Sequence, residues 1–187
     1  MRIEKTFIPD LLLIYPTVFE DPRGYFFESY NAKAFQSAGI DEHFVQDNQS
    51  LSQKGVLRGL HFQVGEAAQS KLVRVIQGSV LDVAVDIRKG SPTFGKHYAV
   101  ELNEKNKLML YIPVGFAHGF LTLEDNTIFS YKCGNFYNKP LENGIAWNDP
   151  QLNIDWGTKD PLLSEKDRNN PALAEFNSPF QYNPQPL

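Results

Sequence analysis

The sequence predicts a mainly β domain with a few short helices. Three observations lead there. Segments of five to nine residues rich in β-branched or aromatic types recur along the chain, divided by turn chemistry rather than by helical spacing. Aromatic residues make up 13% of the chain, with 14 Phe and 8 Tyr, and such residues suit a pleated, half-buried surface. Helix signals are confined to two short stretches.

In chain order the strand segments are Tyr25–Tyr30, Val56–Gln63, Lys71–Ile76, Val80–Arg88, Tyr98–Leu102, Leu108–Ile112, Gly119–Leu123 and Thr127–Lys132. Turn residues fill the breaks, as in Asp21-Pro22-Arg23-Gly24, Gln77-Gly78, Lys89-Gly90-Ser91-Pro92 and Asn103-Glu104-Lys105-Asn106. Val83, Val85 and Ile87 share one face of their strand, while Asp82, Asp86 and Arg88 share the other. Asn31 caps a helix over Ala32–Ala38 that Gly39 ends, and a second opens at Ser164 and stops before Pro171. The last ten residues, with Pro179, Pro184 and Pro186, read as an extended tail of weak intrinsic order. Many short strands at this spacing describe a sandwich or a barrel.

A chain of 187 residues makes one domain, and one of ~150 residues already hides roughly 68–70% of its unfolded surface. Hydrophobic content of 42% and charged content of 21% exclude disorder. A net charge of −4 argues against polymeric nucleic acid as partner. The single cysteine, Cys133, excludes an internal disulfide and a Cys-rich zinc site. Met1-Arg2-Ile3-Glu4-Lys5 has no apolar signal core, and Leu11–Tyr15 stops at Pro16, too short to span a membrane. We expect a cytoplasmic protein.

Ile112-Pro113-Val114-Gly115-Phe116-Ala117-His118-Gly119-Phe120 holds P-x-G-x-x-H between two strand candidates, the second signature of a cupin. The fold class is therefore a cupin-type double-stranded β-helix, a jelly-roll barrel. Metal-bearing cupins also need a cluster of three or four ligands, and the corresponding stretch, Gly55–Gln63, offers His61 alone. His61 and His118 are placed to meet, whereas His43 and His97 sit in loop-like contexts. Neither metal nor cofactor is expected.

Arg23, Arg58 and Lys71 lie in apolar or aromatic strand settings, where an unpaired cation is costly. Singly, each pairs with a local acid such as Glu20, Asp21 or Glu28; together, guanidinium forks match the oxygens of a diphosphate. Strict alternation points Arg58 and His61 to opposite faces, and a bulge at Gly59 restores a common one.

Arg23-Gly24-Tyr25-Phe26-Phe27-Glu28, Gln46-Asp47-Asn48, Lys54–His61, Lys71-Leu72-Val73-Arg74, Asp82–Arg88, Ser91-Pro92-Thr93-Phe94-Gly95, Pro113–Phe120, Tyr131-Lys132 and Trp147-Asn148-Asp149 follow one another as in dTDP-4-dehydrorhamnose 3,5-epimerases, a family the chain resembles over residues 3–168. Residues 169–187 form a C-terminal extension to this single domain. The resemblance implies a metal-free cupin that inverts C3 and C5 of dTDP-4-dehydro-6-deoxy-D-glucose on the route to dTDP-L-rhamnose. It also implies His61 as proton acceptor, Asp167 as its carboxylate partner and Tyr131 as proton donor, with Lys71 and His118 facing the sugar. Arg23 and Arg58 would hold the diphosphate. Phe26, Glu28, Gln46, Asn48 and Tyr137 would frame the thymidine, with Glu142 and Lys166 as further binding positions.

The residue types suit that chemistry. C3–H and C5–H both flank the C4 carbonyl, so loss of either proton gives an enolate. A base on one ring face and an acid on the other then produce inversion. Imidazole is a fit base at neutral pH, and a carboxylate beside it fixes the tautomer. Lys71 faces the charge that develops at the C4 oxygen.

Each residue also has a structural reading. His61 serves as a hydrogen-bonded core histidine, Asp167 as the acid of a Ser-x-x-Asp cap, Tyr131 as strand packing, and Phe26 and Tyr137 as core or interface aromatics. Competing functions are a single-centre epimerase or 3,4-ketoisomerase, a non-catalytic sugar-nucleotide binder, and a metal-dependent oxygenase. Aromatic strands with exposed edges predict a homodimer.

Overall fold

The computed structural model describes residues 1–184 and lays two antiparallel sheets face to face. One sheet runs, in spatial order, β1 (Arg2–Lys5), β2 (Leu12–Tyr15), β10 (Met109–Ile112), β7 (Lys71–Gln77), β12 (Thr127–Cys133) and β5 (Gln46–Ser52). The other runs β13 (Glu142–Gly144), β6 (Leu57–Gln63), β11 (Phe116–Thr122), β8 (Ser79–Asp86) and β9 (His97–Asn103). β3 (Phe19–Asp21) and β4 (Gly24–Phe26) make a separate hairpin. The architecture is the expected cupin-type jelly roll.

The sheets meet over a core of Val73, Phe129 and Leu110 from the first and Val80, Ala84 and Phe116 from the second. Apolar burial continues outside. Val83, Val85 and Ile87 turn away from the sheet interface and pack under Leu152, Trp156 and Leu173. Ile14, Leu72 and Met109, on the back of the larger sheet, are covered by Phe35 of α1 (Ala32–Ser37) and by Ile40. Each fully buried Val, Leu or Phe contributes about 1.5–3 kcal/mol. So the outer face of β8 carries Leu81, Val83 and Val85, and its inner face sets Asp82 between Val80 and Ala84.

Both helices form where their caps predicted. The Asn31 side chain accepts from the Ala34 amide and Ser164 Oγ accepts from the Asp167 amide, opening α1 and α2 (Glu165–Arg168). Several strands differ from expectation. Tyr25–Tyr30 shortens to Gly24–Phe26, because its hairpin stands free of both sheets. β1, β2, β3, β5 and β13 carry no clear apolar alternation and were not expected. His97 begins β9 instead of lying in a loop.

The tail departs further. Lys89 N donates to Phe180 O, Tyr182 N donates to Lys89 O, and the Tyr182 ring lies 4.8 Å from the Arg88 guanidinium carbon. Residues 178–182 are thus pinned to the barrel, not loosely ordered. Pro186 lies outside the described residues.

Candidate active site

Between the sheets opens a cavity of about 500 Å³, continuous in its lining with a smaller lobe of about 230 Å³; His61, Lys71, Tyr131 and Glu142 border both. A bulge sets the first of these. His118 pairs with His61 and Phe120 with Arg58, so β6 spends one more residue than β11 over the same span. Arg58 and His61 consequently line one cavity, as the bulge at Gly59 predicted. No larger residue fits there: Gly59 has φ +131°, and a Cβ would stand 2.5 Å from Gly119 Cα.

Each histidine faces its own carboxylate. His61 Nε2 meets Asp167 Oδ1, while His118 Nε2 lies 2.9 Å from Asp82 Oδ2. A carboxylate only accepts, so the facing nitrogen carries the hydrogen, and in the neutral ring the other nitrogen keeps the lone pair. Burial pushes Asp167 up, but the hydrogen bond and charge of His61 and the bond from the Ser164 side prevail, leaving it below the usual carboxylate range. The serine half of the expected cap forms, with Ser164 Oγ accepting from the Asp167 amide, while the Asp167 carboxylate goes to His61.

The larger sheet supplies the opposite wall. Lys71 on β7 and Tyr131 on β12 reach the cavity, with the Lys71 ammonium 5.9 Å from the Tyr131 ring centre. Burial pushes Lys71 down, against the opposing pull of Cys133, Asp82 and Glu142. Burial also pushes the Tyr131 phenol up, Cys133 adding to it and the Arg58 charge opposing it. A phenol held in its neutral form is a donor near pH 7. Arg58 turns Nε and Nη2 to Ser52 Oγ, both at 3.2 Å.

Gln46, Asn48 and Tyr137 line the smaller lobe, tied in series: Gln46 Nε2 donates to Asn48 Oδ1 at 3.0 Å and Gln46 Oε1 accepts from the Tyr137 amide at 3.0 Å. Glu142 receives the Tyr137 hydroxyl at 2.9 Å and Lys166 Nζ at 2.7 Å. Burial alone would raise its carboxyl; those two donors bring it below the ordinary value.

Arg23, Phe26 and Glu28 do not border this chain's cavity. Arg23 pairs with Asp21, its amide donating to Asp21 Oδ1 at 2.8 Å, which is the local reading of that cation. Phe26 is 67% exposed on the hairpin, and Glu28 accepts from Asn31 Nδ2.

One residue behind the cavity and one lining it escaped the sequence reading. Asp82 is fully buried, and an acid inside the apolar run Leu81–Val85 signals a buried partner. Ser50, whose buried Oγ has no hydrogen-bond partner, lies on a polar strand that gives no such signal.

Comparison with known proteins agrees with this fold. The family model described as dTDP-4-dehydrorhamnose 3,5-epimerase matches residues 5–175. The dTDP-4-dehydrorhamnose 3,5-epimerase of Shigella flexneri is 56% identical over 176 residues, 94% of this chain and 97% of the relative. A crystal structure of the Legionella pneumophila dTDP-6-deoxy-D-glucose-3,5-epimerase in complex with dTDP-4-keto-L-rhamnose superposes with a TM-score of 0.94 at 46% identity, covering 98% of this chain and 99% of that one. A 3′-monoepimerase from Streptomyces bikiniensis in complex with dTDP-quinovose reaches 0.86 at 34% identity, covering 90% and 86%.

Proposed function

The chain belongs to the dTDP-4-dehydrorhamnose 3,5-epimerase family, and on that premise we propose that its inversion of C3 and C5 in dTDP-4-dehydro-6-deoxy-D-glucose runs through His61 as base and Tyr131 as acid. The observation that carries this reading is their origin on facing sheets around one cavity. A ring lying between them offers one face to each.

His61 takes the proton from C3 or C5, and Asp167 compensates the positive charge that its imidazole gains. The electrons move into the C4 carbonyl, giving an enolate. Lys71 and His118 face the developing oxygen charge; Lys71 is poised for it, because burial makes its ammonium costly until an anion arrives. Tyr131 then protonates carbon from the other side. Proton transfer of this kind contributes about 10²–10⁴-fold, and the remainder falls to charge stabilisation and orientation.

Arg58 holds the diphosphate, and Gln46, Asn48 and Tyr137 frame the thymidine in the smaller lobe, with Glu142 and Lys166 between that lobe and the sugar. Arg23, Phe26 and Glu28 act in a second copy of the chain. Their separation from this cavity and the exposure of Phe19, Tyr25 and Phe26 support a homodimer whose hairpins cross over. Among the described residues no helix is long and apolar enough to cross a membrane. The buried free thiol of Cys133 suits a reducing compartment and supports a cytoplasmic location.

Turnover in D₂O tests the reading. Deuterium entering both C3 and C5 of the product supports it; label at one centre alone supports the single-centre reaction that the monoepimerase relative represents.

A further inference from the structure

α2 carries Asp167 yet spans only Glu165–Arg168, far short of the ~12–15 residues an isolated helix needs. Its place therefore depends on what holds its ends and side chains. At the N-terminal side, Leu162 N donates to Gly55 O and Leu57 N donates to Leu162 O; at the C-terminal side, Ala146 N donates to Pro171 O. Between these anchors, two side-chain links cross from α2 to the barrel: Asp167 to His61 and Lys166 to Glu142.

Glu142 is the branch point. It stands on β13 opposite Gln63, two residues before Gly144, which pairs with His61. One carboxylate oxygen takes Lys166 Nζ and the other takes the Tyr137 hydroxyl. Tyr137 is 50% exposed at the rim of the lobe that Gln46 and Asn48 line, and its amide is held by Gln46. Contacts thus run unbroken from that lobe through Tyr137, Glu142 and Lys166 to the residue beside Asp167, and so to His61. Being adjacent in a single turn, Lys166 and Asp167 cannot shift independently.

We propose that Glu142 is a positioning residue, one that clamps α2 through Lys166 so that Asp167 stays on His61, and whose existing bond to the Tyr137 hydroxyl is steadied when a nucleotide fills the neighbouring lobe. Binding of the nucleoside end thereby improves alignment of the base at the sugar end. This role rests on the assignment of His61 as base. It differs from simple substrate binding in its consequence: loss of the clamp lowers turnover of bound substrate more than affinity.

Tyr137→Phe and Glu142→Gln test it in the full-length enzyme. Both keep shape: one loses a half-exposed hydroxyl, the other a charge. The expected result is a fall in kcat of about tenfold or more, the scale of a site-to-site coupling, with the dTDP dissociation constant within about twofold of the parent by calorimetry. Glu142→Gln combined with Lys166→Met should cost no more than the costlier single change, because both break one clamp. A dTDP affinity that falls while kcat at saturation holds would overturn the proposal, as would independent, multiplying losses in the double variant. His61→Ala separates the two readings. If it abolishes turnover while Glu142→Gln keeps full kcat, the clamp alone fails; if His61→Ala stays active, the base assignment fails.

Discussion

His61 on β6 and Tyr131 on β12 border one cavity from facing sheets, although 70 residues separate them in the chain. Substitution should separate their roles. His61→Ala stops both inversion and entry of deuterium from D₂O into the substrate. Tyr131→Phe leaves His61 able to remove the proton and return it to the same face, so substrate recovered from D₂O gains label while inversion falls by about 10²–10⁴-fold. Mass spectrometry and NMR of recovered substrate read both. Label appearing with His61→Ala, or none with Tyr131→Phe, reverses the assignment.

The two carboxylates behind the histidines should differ in weight. On the proposed mechanism Asp167 sits beside the group that becomes charged, whereas Asp82 orients His118 toward a charge made elsewhere. Asp167→Asn should lower kcat by about 10²–10⁴-fold, and Asp82→Asn by roughly ten- to a hundredfold. Steady-state kinetics at saturating substrate give the comparison; an Asp82 variant that is the slower of the two would place the base at His118.

Asp86 supplies a test of acid stability away from the cavity. It is fully buried, accepts from Arg88 Nη2 at 2.8 Å and also takes Ser91 and Thr93 hydroxyls. Burial raises its carboxyl, but those donors prevail and lower it. A lowered carboxyl stabilises the fold above its unfolded value of ~3.9, and that share is lost as pH falls through the lower folded value. Asp86→Asn should therefore cost about 3–5 kcal/mol in urea unfolding at pH 7, with a shallower decline below pH ~4. An equal loss at pH 7 and at pH 2 would mean that the ion pair is not its source.

How legible these features were in the sequence follows from what each residue faces. β8 announced itself by alternation, but pattern alone did not tell which face was inside; the barrel interior took Asp82 because the buried His118 needed a partner, and Val83, Val85 and Ile87 went under the C-terminal segment. β5, Gln46-Asp47-Asn48-Gln49-Ser50-Leu51-Ser52, was invisible because one face meets solvent and the other a polar cavity, so no apolar period marks it. α2 was found from Ser164 and Pro171 alone, since caps are local. The ordered tail was missed because its anchors, Ile87 and Lys89, lie some ninety residues away. Residue roles came from the family resemblance, which carried Asp167 to His61 where local pattern gave only a cap.

The position of Arg23 makes the last prediction. On the hairpin, it is bound to Asp21 and remote from the cavity that Arg58 lines. An exposed Arg–Asp pair adds little to stability, so exchanging Asp21 for a phosphate oxygen costs little. If Arg23 serves the cavity of a second copy, Arg23→Ala and His61→Ala damage different halves of each composite site. Neither variant alone is active at ordinary substrate concentration. Mixed and allowed to exchange subunits, they form heterodimers in which one site carries both changes and the other carries neither. With random pairing, half the dimers are heterodimers with one intact site of two, so about a quarter of parental activity should return. Two variants that stay inactive after exchange, verified by mass spectrometry of the mixed dimers, would show that Arg23 acts within its own chain or not at all.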